Sequence, residues 1–239
     1  MSESNSSSTN NAFNISGGSI TNLTGSGAIY YNEAVQGIKA DSTPVVNHTS
    51  ATKTILFLAA NPKGTSQLRL DEEMREIDAG LQRAQRREQF VLQQRWALRP
   101  RDVQRALLDY HPEIVHFSGH GSGGAGLVLE YETGTPKLVD TEALAALFEL
   151  FSDRLECIIL NACYSKVQAC AIARHVPYVI GMSQEIGDTA AIEFAVGFYD
   201  ALGAGKSVEF AYKSGCVNIR MAGVAEYLTP VLIPKSATV

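Results

Sequence analysis

From Thr54 onward the chain alternates short runs of uninterrupted apolar residues with longer stretches in which apolar residues recur every three or four positions. Thr54–Ala60 is one such run, the signature of a strand buried on both faces, where neither side of the pleat meets water. Leu70, Met74, Ile77, Leu81 and Ala84 follow at helical spacing and predict a long amphipathic helix. The pattern continues with a strand over Phe90–Ala97, a helix over Arg101–Tyr110 with Val103, Ala106, Leu107 and Tyr110 inward, and a strand over Glu113–Ser118. A short strand at Leu127–Glu130 precedes a helix over Thr141–Phe151, capped by Asp140 or Thr141, with Leu144, Leu147, Phe148 and Phe151 on one face. Leu155–Leu160 and Pro177–Gly181 are further strands, separated by a helix over Val167–Arg174. Two helices, about Asp188–Leu202 and Lys206–Ile219, and an extended stretch around Tyr227–Ile233 complete the series. Strands alternating with helices predict an α/β fold, a mostly parallel sheet with helices on both faces.

Charge and composition narrow the function classes. A net charge of −5 offers no electrostatic footprint for nucleic acid or an anionic membrane surface. No apolar run approaches the roughly 18 residues that span a bilayer, and the N-terminus lacks the basic and apolar regions of a signal peptide, so a cytoplasmic location is expected. Cys157, Cys163, Cys170 and Cys216 have neither metal-ligand nor redox-motif spacing. They are expected to be reduced thiols, with no metal site and no cofactor.

The candidate chemistry sits where two strands end. Val115-His116-Phe117-Ser118-Gly119-His120-Gly121 and Ile158-Ile159-Leu160-Asn161-Ala162-Cys163-Tyr164-Ser165 are apolar runs that stop at small-residue turns, one with a histidine and one with a cysteine. In open α/β sheets the working crevice lies beyond the carboxyl ends of the strands, and neighbouring strand ends are roughly 4.8 Å apart. If these strands are neighbours, His120 and Cys163 meet. A positioned imidazole activates a thiol and later protonates a leaving amine, so His120 and Cys163 are a candidate cysteine–histidine dyad. Gly119 and Gly121 leave room for a substrate backbone, and the N–H groups of Gly121 and Cys163 are candidate oxyanion donors. His116, inside its strand, reads as a buried, satisfied histidine. Gly203-Ala204-Gly205-Lys206-Ser207 lacks the first glycine of a phosphate-binding loop, and Gly121–Gly126 reads as a mobile wall of the cleft.

His-Phe-Ser-Gly-His-Gly with Leu-Asn-Ala-Cys-Tyr-Ser, followed by Tyr178–Met182, Asp188 and Phe194 through Gly205, resembles the CHAT family of caspase-like peptidases, of the same clan as caspases, metacaspases and separase. The similarity runs from about Thr54 to Pro234. It implies a caspase-like three-layer sandwich and a cysteine endopeptidase acting on protein or peptide substrates through an acyl-enzyme at Cys163. In the related metacaspases an acidic residue two positions before the nucleophile helps select arginine or lysine at P1; Asn161 stands there in this chain. Asp188 and Glu185 are candidates for a compensating carboxylate, and Asp188 reads equally as a helix N-cap. Tyr164, Ser165 and Ser183 are further candidates for the pocket wall. The sequence does not identify a calcium requirement.

The first fifty residues break the pattern. Met1 to about Ala12 is Ser/Asn-rich and expected to be disordered. Phe13–Tyr31 is nearly uncharged, Pro-free, and mixes β-formers with Gly, Asn and Ser, as cross-β stacking segments do. It resembles the short amyloid-type signalling motifs of some bacterial and fungal death effectors, which implies homotypic or adaptor assembly in cell death or defence. A small β-hairpin or a flexible tail are the alternatives. Gly37–Lys53 reads as a linker, with Lys39 and Lys53 as candidate self-cleavage positions. The expected organisation is therefore an assembly segment over 1–36, a linker over 37–53 and a peptidase domain over 54–239. The rival reading is a catalytically silent scaffold that nucleates partners through its N-terminal segment.

Overall fold

The computed structural model describes residues 52–235 and, upstream, the backbone of two short strands, β1 (Asn14–Ile15) and β2 (Gly18–Ser19), paired antiparallel. The rest of the 1–36 segment, and the 37–53 linker apart from Thr52 and Lys53, lie outside the described residues. Chain order thereafter is β3 (Lys53–Ala60), α1 (Leu70–Arg83), β4 (Phe90–Arg95), α2 (Pro100–Tyr110), β5 (Ile114–Gly121), β6 (Leu127–Glu130), β7 (Pro136–Val139), α3 (Thr141–Glu149), β8 (Cys157–Asn161), α4 (Lys166–Ile172), β9 (Tyr178–Met182), α5 (Asp188–Gly203), α6 (Val208–Met221) and β10 (Pro230–Pro234). Lys53, counted into the linker from sequence, opens β3, pairs with Phe90 and bonds to Glu156.

The main sheet runs β10-β9-β8-β5-β3-β4, parallel except for β10, which pairs antiparallel with β9. Both faces are covered, and the alternation along each strand assigns its residues to one layer or the other. Leu56, Leu58, Ala60, Val115, Phe117, Ile158 and Leu160 pack with Val103 and Leu107 of α2, Leu144 and Phe148 of α3 and Ile172 of α4. Ile55, Phe57, Ala59, Ile114, Cys157 and Ile159 face the opposite way, onto Met74 and Ile77 of α1, Phe194 and Phe198 of α5 and Ile219 of α6. The fold is thus α/β, with a mostly parallel sheet between two helical layers.

Three local expectations change. β7 is an additional strand: it pairs antiparallel with β6, and β6 in turn pairs with the end of β5, so the glycine-rich run after His120 leads into a small hairpin arm. Within that run Gly123–Ala125 forms one 3-10 turn. The extended stretch read as Tyr227–Ile233 divides into a 3-10 turn over Ala225–Leu228 and then β10. Asp140 caps α3, its side chain accepting from the Ala143 N–H at 2.9 Å.

The order in the sheet locates the crevice. From β3 the chain moves outward to β4, then returns across β3 to place β5 on its other side, so the direction of winding reverses between β3 and β5. Reversal parts the connections at the carboxyl ends of the strands, which is where such folds bind ligands. His120 stands there at the end of β5, and Cys163 lies just beyond the end of the neighbouring β8.

Candidate active site

β5 and β8 are hydrogen-bonded parallel neighbours, in register from Ile114 opposite Cys157 to Ser118 opposite Asn161. His120 lies two residues past Ser118 and Cys163 two past Asn161. With a side-chain period of two, His116, Ser118 and His120 share the sheet face that carries Asn161, the face covered by α1 and α5. Both His120 and Cys163 are partly exposed, and both line a small cleft, about 30 Å³ in volume, with Leu68, Arg69, Glu73, Asn161, Ile186, Asp188 and Ile192.

Hydrogen bonding orients the two reactive groups. The His120 Nε2 lies 3.0 Å from the Ser66 carbonyl oxygen. A carbonyl only accepts, so Nε2 carries the proton and Nδ1 is left with the lone pair of a base. The Cys163 Sγ is 3.7 Å from the Ile186 carbonyl, in the loop that joins β9 to α5. Behind the thiol, Tyr164 holds a left-handed φ of 57°, a conformation that costs roughly 1–2 kcal/mol in a non-glycine residue and marks a tightly held turn. The Tyr164 N–H donates to the Gln184 carbonyl at 3.1 Å, and the Ala162 N–H to Leu160 at 3.0 Å. The Cys163 N–H between them has no hydrogen-bond partner among the described residues. Gly121, the other candidate oxyanion donor, pairs with Leu127 of β6 and lies directly against the cysteine turn: a Cβ on Gly121 would fall 2.0 Å from the Cys163 carbonyl oxygen.

The remaining sequence candidates separate. Asn161 and Asp188 line the cleft; Ser183 and Glu185 do not. Ser183 is drawn toward β10, its N–H and Oγ both donating to the Thr229 carbonyl, at 2.8 and 3.0 Å, and Glu185 projects into solvent beside it. Asp188 is the first helical residue of α5 rather than its N-cap, which is Gly187, and its Oδ1 lies 3.5 Å from the Arg69 N–H. Ser165 is no pocket wall either. It is fully buried, donating to the Leu160 carbonyl at 2.7 Å and accepting from the Met182 N–H at 2.9 Å, a staple that fastens the cysteine turn to β8 and β9.

Glu73 was not singled out in the sequence. It is 2% exposed, on α1, and sits under the cleft. Its Oε1 accepts from His116 Nε2 at 2.8 Å and Asn161 Nδ2 at 2.6 Å, and its Oε2 accepts from the Ser118 hydroxyl. His116 Nδ1 in turn lies 3.1 Å from the Tyr199 hydroxyl, whose burial raises its pKa well above the usual phenol value and keeps it a phenol. The Asn161 Nδ2 also donates to the Ala191 carbonyl at 3.2 Å, so both its neighbours are acceptors and the amide orientation is set. Its Oδ1 is buried with no partner among the described residues. The signal for Glu73 was available in principle: it is three residues after Leu70 and four before Ile77, a carboxylate on an otherwise apolar stripe.

Among the described residues no three His, Cys, Asp or Glu side chains are grouped to hold a metal ion, and no helix is long and apolar enough to cross a membrane. All four cysteines are free thiols, and burial pushes that of Cys157 far above the ordinary range.

The chain is 27% identical over 181 residues to a Roc-COR-CHAT protease of an unidentified prokaryote, covering 73% of this chain and 17% of that one. It is 26% identical over 172 residues to a probable protease of Gillisia limnaea, covering 70% and 30%. It therefore spans less than a third of the length of either relative. The fold is similar to that of the Arg-specific cysteine proteinase gingipain R (TM-score 0.55, 13% identity, covering 76% of this chain and 46% of that one). It is also similar to caspase-1 of Spodoptera frugiperda (TM-score 0.51, 10% identity, covering 77% and 86%). The layered α/β architecture is thus caspase-like. A family model described as the CHAT domain matches residues 23–215, starting upstream of the boundary expected near residue 50 and ending within α6. With most of its length inside that match, the chain belongs to the CHAT domain family.

Proposed function

We propose that this chain is a cysteine endopeptidase in which His120 Nδ1 takes the Cys163 thiol proton and the thiolate attacks a peptide carbonyl. One observation carries the reading: His120 and Cys163 stand at matched register beyond Ser118 and Asn161 on a shared cleft, with Nε2 held by the Ser66 carbonyl and Nδ1 left as the base. The unpartnered Cys163 N–H, with that of Gly121 beside it, receives the oxyanion. The imidazolium then protonates the leaving amine, and water attacks the acyl-enzyme to release the second product and restore the thiol.

The cleft supports a basic residue at P1. Its walls at Leu68, Ile186 and Ile192 suit an aliphatic stem. Two groups in it call for hydrogen-bond donors or positive charge: the Asp188 carboxylate and the unpartnered Asn161 Oδ1. In this reading Asp188 takes the place of the carboxylate missing at Asn161. The setting we propose is cytoplasmic signalling, in a cell-death or defence pathway, with residues 13–31 bringing copies or an adaptor together. This part rests on the composition of that segment.

The test is cleavage of a mixed peptide library, followed by mass spectrometry, with the wild type and with Cys163→Ala and His120→Ala. Loss of cleavage in both variants, with cuts after lysine or arginine in the wild type, is the expected result. Cleavage that persists in Cys163→Ala refutes the dyad, and cuts without a basic P1 refute the pocket. Asp188→Asn is expected to raise KM about tenfold for basic substrates with little change in kcat, as loss of one charged contact does.

A further inference from the structure

The polar cluster beneath the cleft has a geometry that burial alone does not require. Four polar side chains converge on one place in an apolar layer: Glu73 from α1, His116 and Ser118 from β5, and Asn161 from β8, each 4% exposed or less. Ser118 and Asn161 are register partners, and each precedes a reactive residue by two positions, hence on the same face of its strand. Both donate to the one carboxylate, Ser118 to Oε2 and Asn161 to Oε1. His116 donates to Oε1 from the strand interior and is backed by Tyr199 of α5. Asn161 also reaches the Ala191 carbonyl of α5, so the cluster connects β5 and β8 to both helices that roof the cleft.

We propose that Glu73 is a positioning residue: its carboxylate clamps the ends of β5 and β8 from a single point and so sets the separation of the His120 imidazole from the Cys163 thiol. The proposal rests on the peptidase reading and concerns a residue that touches neither reacting atom. A carboxylate fits this role because it only accepts, and it offers two oxygens in a fixed plane to donors arriving from two strands. Glutamine is a weaker substitute. With its oxygen toward His116 and Asn161 its NH2 donates to the Ser118 hydroxyl, so the β5 arm is kept only as a reversed, uncharged hydrogen bond. Because the clamp acts one strand pleat below the dyad, its loss should alter geometry between two reactive groups while leaving the cleft mouth and Asp188 in place.

The experiment measures three quantities on the full chain: kcat and KM for a basic peptide substrate, and the rate of Cys163 alkylation by iodoacetamide, read by peptide mass. The His120-dependent part of that rate is the difference between wild type and His120→Ala, and needs no substrate. For Glu73→Gln the expected result is a fall in kcat of about 10- to 100-fold, the scale of a sub-ångström to 1 Å misplacement. The His120-dependent alkylation should fall in parallel, with KM within about twofold. Glu73→Asp, which keeps both acceptors, should recover part of the loss. If Glu73→Gln does not fold, Ser118→Ala decides, because it removes only the β5 arm; about a tenfold fall in kcat at unchanged KM is expected. Unchanged kcat and alkylation in these variants overturn the clamp. So does a rise in KM confined to basic substrates, which would make Glu73 a substrate contact. If His120→Ala alkylates as fast as wild type, the dyad itself fails, whatever Glu73 does.

Discussion

Gly121 is where the turns that carry His120 and Cys163 touch, and an added methyl group there makes a quantitative test of the proposed site. The Cβ of an alanine at 121 would lie 2.0 Å from the Cys163 carbonyl oxygen and 3.3 Å from the Ala162 Cβ. Ordinary van der Waals contact begins near 3.4 Å, and the obstructing oxygen is backbone, which cannot swing aside as a side chain can. The turn after β5 and the turn after β8 must therefore part by about 1.4 Å. A misplacement of about 1 Å costs roughly 10²-fold in rate when reacting groups must meet in line. Gly121→Ala should thus lower kcat by at least about 100-fold, equivalent to about 2.7 kcal/mol at 1.36 kcal/mol per decade. Gly124→Ala, three residues along the same loop, meets nothing within 4 Å and is expected to stay within about twofold of wild type. The assay is initial-rate cleavage of a basic peptide by both variants, with far-ultraviolet circular dichroism to verify the fold. A folded Gly121→Ala protein that keeps more than a tenth of wild-type kcat refutes the geometry, since the cysteine and histidine turns would then not abut.

Two further predictions concern the frame around the site. Ser165→Ala leaves the buried Met182 N–H without its present partner, while the Leu160 carbonyl keeps the Ala162 N–H; at about 1–3 kcal/mol for one orphaned group, a loss of that size is expected in urea denaturation, and a loss below about 0.5 kcal/mol contradicts the staple. At the start of α2, the hydrogen bond from Arg99 holds the Asp102 carboxyl below its usual range, against a smaller opposing effect of burial. A depressed folded pKa means that the unfolded chain takes up the proton first. The contribution is therefore complete above the unfolded value of about 3.9 and is lost as pH falls through the folded one. Asp102→Asn should be less stable than wild type at pH 7, and the gap should close on acidification below about pH 4; a gap that stays constant in denaturation at pH 7 and pH 3 refutes this.

How far the sequence reached is explained by what each residue has to satisfy. Strands buried on both faces are apolar at nearly every position, so Thr54–Ala60, Ile114–Phe117 with its one histidine, and Ile158–Leu160 announce themselves without any knowledge of their neighbours. β7 was missed because Pro136–Val139 is four residues long, half-exposed and pairs only with β6, so its sequence carries no burial signal. His120 and Cys163 stood out because each ends an apolar run at a small-residue turn, a local feature. Glu73 is a different case. Its partners are 43, 45 and 88 residues away in sequence, and the cluster exists only because β5 and β8 are neighbours under α1. Ser165 was assigned to a pocket wall for the same reason: its partners, Leu160 and Met182, come together only once β8 and β9 pair. A buried charge in such a layer is costly unless its lone pairs are met by donors, and Glu73 has three. The observation available before any fold is known is therefore the conflict itself. A glutamate stands at a helix position that periodicity assigns to the core, while a serine and an asparagine stand at strand positions that alternation assigns to the same side. Polar residues predicted to be inward from three separate elements have to find one another, because nothing else in an apolar layer can satisfy them. In this chain their meeting point lies beneath His120 and Cys163, and that coincidence ties the stability of the layer to the geometry of the cleft above it.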